Sequence, residues 1–328
     1  MLTVTIPDDG LEQRISDLQH EYRDNLELVP WEMEQMLPAD VASRVDVVVI
    51  GNYWGRHNWN LLHELPNLKA VLLPSAGFEH ALPHIPAGVT LCNGRGVHSA
   101  GTSELALGLI LASQRGFIHA FEAQRAGRWS NPELSSLADR RVLVVGAGSL
   151  AQAIIARLQP FEVEITVVGK SAQTLADGRR VHPVSELPSL LLDADIVVLA
   201  VPLDDSTLHL MDAQALALLP DGALLVNVAR GKVVDTEALL AELQAGRLRA
   251  ALDVTDPEPL PADHPLWHAP NTIITAHQGG HSDATYPRVA ALVRRQLLHM
   301  LHGEPLENVI TGPSLVRDTG IEPVTSSV

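Results

Sequence analysis

The sequence predicts an α/β protein of two domains, one of them organised on a doubly wound parallel sheet. Three observations carry this. Short apolar runs rich in β-branched residues alternate with helical patterns along most of the chain. One run, Arg141-Val142-Leu143-Val144-Val145, passes directly into Gly146-Ala147-Gly148-Ser149-Leu150-Ala151 and an Ala/Ile/Leu-rich helical stretch. The 328 residues, 46% hydrophobic and 19% charged, suffice for two cores in an ordinary globular protein.

From residue 1 to about 98 the strand candidates are 2–6, 26–29, 45–50, 68–73 and 89–92, separated by polar or Pro-containing stretches. This α/β unit has no phosphate fingerprint, so it reads as a substrate or partner domain. Its fourth strand ends in Pro74-Ser75-Ala76-Gly77-Phe78, which is either a plain turn or a place where bare N–H groups face an anion. Residues 102–112 are apolar on nearly all sides, as expected of a helix buried between layers and crossing from one domain to the next. From His119 to Trp129 the chain turns polar, and a loop-like run follows through Pro132.

The fingerprint comes next, and each of its positions has a physical task. Gly146 permits the tight turn, Gly148 lets backbone approach a pyrophosphate, and the small Ala151 lets helix pack on strand. Phosphates would sit on the N–H groups at Ser149 and Leu150, where the helix dipole favours negative charge. This is the order of a Rossmann dinucleotide site; a plain βα turn or a site for another nucleotide, such as S-adenosylmethionine in a methyltransferase, is the alternative. The next strand, 163–168, ends at Gly169-Lys170-Ser171. An acid at position 169 would bond the ribose hydroxyls and repel a 2′-phosphate, but glycine stands there, with a cation and a hydroxyl beside it. NADP is therefore expected over NAD.

Continuous apolar runs at 196–201, 223–228, 250–254 and 273–276 are further parallel strands, with helices at 213–219 and 235–245. Asp235 suits an N-cap and Gly246 a C-terminal stop. Residues 287–301 form an amphipathic last helix ending at Gly303, and 313–328 carry no periodicity and are expected to be disordered.

Three strand ends hold the candidate chemistry. Asn227-Val228-Ala229-Arg230-Gly231 places an arginine, Asp253 to Glu258 places acids, and Thr275-Ala276-His277-Gln278-Gly279-Gly280 places a histidine where ligands bind in open α/β sheets. Carbonyl reduction of a 2-oxo acid needs such a set. The arginine forks onto the carboxylate and polarises the carbonyl, the histidine gives the proton, and the acid holds the imidazolium. His277 and His281 are four apart, but Gly279-Gly280 argues against the helix that would make them joint ligands, so no metal is expected.

With these residues in place, the chain resembles the D-isomer-specific 2-hydroxyacid dehydrogenase family over nearly all of residues 1–310. The resemblance rests on the fingerprint at 146–151, on Asn227-Val228-Ala229-Arg230-Gly231 with Val234-Asp235, on Leu252-Asp253-Val254 with Glu258-Pro259, and on Thr275-Ala276-His277-Gln278-Gly279-Gly280. It implies that Arg230 binds substrate, that Glu258 pairs with His277, and that Asp253 contacts the nicotinamide carboxamide. It places Ala229 and Gly279 against the cofactor and makes the Ser75-Ala76-Gly77 turn the carboxylate site. It implies a Rossmann domain at 99–282 inserted in a smaller flavodoxin-like domain of 1–98 plus 283–312, and a homodimer formed mainly through the cofactor domain. Ala276 stands where the family usually has proline, and Gly169 where NAD-dependent members have Asp. Glu258 rather than Gln departs from formate dehydrogenase-like members, and Ala76 rather than Lys from phosphite dehydrogenase-like ones.

The expected activity is a reductase of small 2-oxo acids of the glyoxylate or hydroxypyruvate type. A dinucleotide-sensing binder or corepressor of the same fold is the alternative, which the intact Arg230, Glu258 and His277 do not by themselves exclude. A formal charge of −16 argues against nucleic-acid or anionic-membrane partners. A lone Cys92 fits a reducing cytoplasm, and no apolar run is long enough to span a bilayer. The substrate's side-chain pocket is built from loops around Tyr53, Trp54, Phe78 and Trp267, or these aromatics belong to the core; the sequence leaves both open.

Overall fold

The computed structural model describes residues 1–7, 10–51 and 57–312. Tyr53, Trp54 and the 313–328 tail lie outside the described residues.

In chain order the elements are β1 (Leu2–Ile6), α1 (Leu11–Glu21), β2 (Leu26–Pro30), α2 (Ala39–Ala42), β3 (Val47–Val49), β4 (Ala70–Leu72), β5 (Thr90–Cys92), α3 (Ser99–Gln114) and α4 (Phe117–Arg125). They continue with β6 (Arg141–Val145), α5 (Ser149–Leu158), β7 (Glu164–Gly169), β8 (Gln173–Thr174), β9 (Arg180–Pro183), α6 (Leu187–Leu191) and β10 (Ile196–Leu199). The last are α7 (Ala213–Leu218), β11 (Leu224–Asn227), α8 (Thr236–Gln244), β12 (Arg249–Leu252), β13 (Thr272–Ile274), α9 (Thr285–His302) and β14 (Val309–Thr311).

The chain divides into two compact units. Unit 1 is Met1–His98 together with the segment that begins at Asp283, and unit 2 is Ser99–Ser282. The helix expected to cross between domains, α3, instead opens unit 2.

Unit 1 is a sheet of order β14-β5-β4-β3-β1-β2, parallel throughout except for antiparallel β14. Without β14 this is the flavodoxin-like order read from its far edge. Its strands β1, β3, β4 and β5 are buried along their whole length because both faces are covered. One face packs on α1 through Leu11, Ile15 and Leu18 and on α9 through Ala290, Val293, Leu297, Met300 and Leu301. The other carries Trp31, Val48, Leu62, Val71 and Leu91, with Phe78 packed against them, so that aromatic belongs to the core. Cys92 lies buried on the α1 and α9 face, and burial pushes its thiol up to about 12, which leaves it unreactive.

Unit 2 is an eight-stranded sheet of order β13-β12-β11-β10-β6-β7-β9-β8, parallel but for the edge strand β8. The order of the parallel strands is doubly wound, with the reversal beside β6. α3 and α5 bury Ala106, Ile110, Ala151, Ile154 and Leu158 on one face, and α6, α7 and α8 bury Leu191, Leu216, Leu239 and Leu243 on the other. Asp235 caps α8, its carboxylate accepting the Ala238 N–H at 3.0 Å, and Gly246 follows the helix in the left-handed region.

Two segments differ from the sequence reading. The stretch taken as turning polar after 119 contains the helix α4, whose Phe117, Ile118 and Phe121 are exposed. After β7 the chain makes a β8–β9 hairpin along the sheet edge. Among the described residues no helix is long and apolar enough to cross a membrane.

Leu297, fully buried, ties α9 to unit 1. Leu297→Ala should lower stability by about 2–5 kcal/mol, read in urea unfolding as an earlier first transition.

Candidate active site

The loops that follow β11, β12 and β13, adjacent strands of unit 2, carry the three candidate residues at their C-terminal ends. The first loop is shaped by Asn227. Its side-chain oxygen accepts the Ala229 N–H at 3.0 Å and its amide donates to the Arg230 carbonyl at 2.9 Å, folding the chain back under the arginine. Arg230 then donates from Nη1 to its neighbour's carbonyl, Ala229 O, at 2.7 Å. Gly231 is obligatory for space, because a Cβ there would lie 1.9 Å from Thr255 O. The arginine loop thus presses backbone to backbone on the loop that carries Glu258, and Thr236 adds a bond from Oγ1 to Asp256 O at 2.8 Å.

Asp253 ends the second strand, almost wholly buried. Its Oδ1 accepts from Thr275 Oγ1 at 2.8 Å and from the Gln278 N–H at 2.7 Å, and its Oδ2 accepts from the Gly279 N–H at 3.0 Å. Its carbonyl accepts the His277 N–H at 2.6 Å. The contacts of this carboxylate are therefore with the histidine loop, which it holds closed. The role was missed in the sequence because it joins residues more than twenty positions apart; the visible signal was Asp253 and Gly279 in two motifs at neighbouring strand ends.

His277 adopts φ 53°, a left-handed conformation uncommon outside glycine, as expected where a loop fixes one side chain against local preference. Its Nδ1 lies 2.5 Å from Glu258 Oε1. Partial burial pushes the Glu258 carboxyl up, but the His277 bond and charge, a backbone bond from Thr255 and the Arg230 charge outweigh it and hold the group below its usual range. Glu258 is thus an ionised acceptor, which puts the proton on His277 Nδ1 and directs exchange with a bound molecule through Nε2. Arg230, Glu258 and His277 are brought together. No group of three or more His, Cys, Asp or Glu among the described residues forms a metal cluster.

At the fingerprint, Gly146 has φ 131°, and a Cβ there would lie 2.4 Å from Ala200 O. At Gly148 a Cβ would meet nothing, so packing within the chain does not demand that glycine. α5 starts with Ser149 exposed and no side chain capping its first N–H groups, the condition for an anion to bind there. A dinucleotide pyrophosphate therefore fits this cradle. Gly169 is buried, while Lys170 and Ser171 are exposed. Asp204 is held low by bonds from Ser206 and, less strongly, by the charge of Lys170. Trp267 is exposed and donates from its ring to Pro261 O at 2.8 Å, closing the loop beyond Glu258.

In unit 1 the turn at Ser75-Ala76-Gly77 has every carbonyl engaged. Gly94 N–H donates to Ser75 O, Asn93 Nδ2 to Ala76 O, and Ser75 Oγ to Gly77 O at 2.7 Å. The N–H groups of Ala76 and Gly77 donate to nothing among the described residues. The turn is polarised, acceptors satisfied behind and donors in front, as an anion-binding turn requires. Asn93 and Gly94, which build its back, were not singled out in the sequence; a Cβ at Gly94 would lie 2.0 Å from Pro74 O.

A sequence profile described as "D-isomer specific 2-hydroxyacid dehydrogenase, NAD binding domain" matches residues 107–279. A glyoxylate reductase of Thermofilum pendens is 35% identical over 251 residues, 73% of this chain and 74% of that one. The crystal structure of a D-isomer specific 2-hydroxyacid dehydrogenase family protein from Aeromonas salmonicida superposes with TM-score 0.82 at 26% identity, covering 94% of this chain and 98% of that one. A D-isomer specific 2-hydroxyacid dehydrogenase from Xanthobacter autotrophicus, in complex with NADPH and MES, gives 0.78 at 27% identity, covering 94% and 98%.

Asp253→Asn turns one buried acceptor into a donor facing backbone N–H groups. The expected loss is about 1–3 kcal/mol of stability, with a fall in turnover, measured by thermal unfolding and steady-state assay of one preparation.

Proposed function

The chain belongs to the D-isomer specific 2-hydroxyacid dehydrogenase family, and we propose that it reduces small 2-oxo acids to D-2-hydroxy acids with Arg230, Glu258 and His277 as its catalytic set. The observation that carries this assignment is the 2.5 Å His277 Nδ1 to Glu258 Oε1 pair at the carboxyl end of the fingerprint-bearing sheet. A dinucleotide sensor of the same fold could keep this pair; turnover is favoured over binding alone because relatives of the chain include glyoxylate reductases.

The nicotinamide, when bound, supplies the hydride. His277 gives the proton from Nε2 to the developing alkoxide while ionised Glu258 stabilises the imidazolium through Nδ1. Arg230 supplies the positive charge that polarises the carbonyl and takes one end of the carboxylate. The donor turn Ser75-Ala76-Gly77 contributes anion binding by unit 1. Gly146, Gly148, Ser149 and Leu150 would hold the pyrophosphate, and Ala229, Asp253 and Gly279 would border the nicotinamide. Asp253 contributes there mainly by fixing the His277 loop. The name of the Thermofilum relative supports glyoxylate-type substrates, and the NADPH in the Xanthobacter structure supports the phosphorylated cofactor over NAD. Gly169, Lys170 and Ser171, at the end of β7, would face the adenosine ribose.

The protein acts as a cytoplasmic homodimer that binds neither nucleic acid nor membrane. Phe117, Ile118, Phe121 and the almost fully exposed Trp129 form an apolar stretch on unit 2, of the kind that a second copy covers.

His277→Ala should cut kcat for glyoxylate or hydroxypyruvate reduction by about 10²–10⁴ with cofactor binding retained; turnover equal to the parent's overturns the assignment. The depressed Glu258 keeps its charge down through mildly acid pH, and stability from the pair disappears only as pH falls through that lowered value. Glu258→Gln replaces the ionised acceptor at His277 Nδ1 with a neutral amide, so kcat for 2-oxo acid reduction should fall with cofactor binding retained, read by steady-state assay beside nicotinamide-fluorescence titration. Light scattering should give twice the 35.4 kDa chain mass, and Phe121→Asp with Trp129→Asp should shift it to one.

A further inference from the structure

We infer that Val181 sets the choice between phosphorylated and unphosphorylated dinucleotide, by denying a carboxylate its place at position 169. This rests on the reading of unit 2 as an NADP site and names a residue outside the fingerprint that enforces it.

Gly169 is the last residue of β7, and its backbone lies outside the left-handed region, so conformation does not require glycine there. Space does. A Cβ at 169 would stand 2.8 Å from Val181 Cγ1 and 3.4 Å from Ala147 Cβ, with Gln173 Nε2 at 3.7 Å. Val181 cannot swing aside cheaply. It is fully buried on β9, pairs with Val167 across the parallel ladder, and packs with Ile154 and Leu158 beneath α5. A β-branched side chain held in this way has few rotamers to try.

The residue type that would accept bonds from ribose hydroxyls and repel a 2′-phosphate is therefore shut out by the hairpin on the next strand. Cationic attraction is the lesser part. Lys170 is exposed and spends part of its field on Asp204, while Arg179 and Arg180 of the hairpin are paired with Asp177 and Glu186. Tolerance of the phosphate comes chiefly from missing repulsion.

The test is a double-mutant cycle on the full chain: Gly169→Asp, Val181→Ala and both together. Each is read by nicotinamide-fluorescence titration with NADPH and with NADH, and by melting temperature. Gly169→Asp alone should lose roughly 3–8 °C of melting temperature through overpacking and gain little NADH affinity. The double variant should recover part of that loss and bind NADH at least tenfold more tightly than Gly169→Asp, with NADPH correspondingly weaker. Two outcomes overturn the role of Val181: Gly169→Asp alone binding NADH as well as the double variant at unchanged melting temperature, or a double variant no better than Gly169→Asp. If the unaltered chain binds NADH more tightly than NADPH, the NADP reading itself falls. The steric claim is then decided by Gly169→Ala, which must lower the melting temperature in the Val181 background and not in Val181→Ala.

Discussion

The chemistry of unit 2 hangs on one buried carboxylate. Asp253 reaches backward through its N–H to Asn227 O, forward through its carbonyl to His277 N–H, and sideways through both oxygens to Thr275, Gln278 and Gly279. Carboxylate oxygens taken out of water must find donors inside the protein, and here the donors come from the loop that must be shaped. Gly279 is small because that oxygen and Thr102 of α3 leave no room for a side chain. Desolvating one acid thus fixes the backbone of His277, and the energy that closes the loop is the energy that satisfies the acid.

Around this hub, glycines mark where backbones meet. Gly231 lies against Thr255, Gly101 against Gly279 O and Ser282 Oγ, Gly146 against Ala200. Contacts of this kind bring main chains from separate strands close enough for short side chains to act across the gap. Glu258 and His277 stand on loops that follow different strands and share a hydrogen bond across the gap.

Most of the framework was legible in the sequence. The parallel strands appear as continuous apolar runs, the fingerprint locates the reversal of strand order, and Asp235 and Gly246 announce the ends of α8, because each signal is local. Several strands are shorter than their apolar runs, 47–49 against 45–50, 70–72 against 68–73 and 196–199 against 196–201, since apolar side chains continue into the loops past the last ladder bond. The three chemical residues could be named from their order. What stayed hidden were effects made by distant partners: the tilt of His277 into a left-handed backbone, the carbonyl-capped back of the Ser75 turn supplied by Asn93 and Gly94, and the hairpin that seals Gly169. The 117–125 helix was obscured for another reason. Its apolar residues point outward, so the periodicity that identifies a helix by its buried face is inverted.

The return of α9 to unit 1 has a consequence for how the chain is made. Leu297, Met300 and Leu301 belong to the same core as Leu2, Val4 and Leu28, so the strands before unit 2 wait for the helix after it before their core is complete. Unit 2, continuous from 99 to 282, has all its strands in hand earlier. Folding during synthesis therefore proceeds from the inserted unit outward, and the amino-terminal strands are the segment most exposed to chaperones and to wrong pairing while translation runs on.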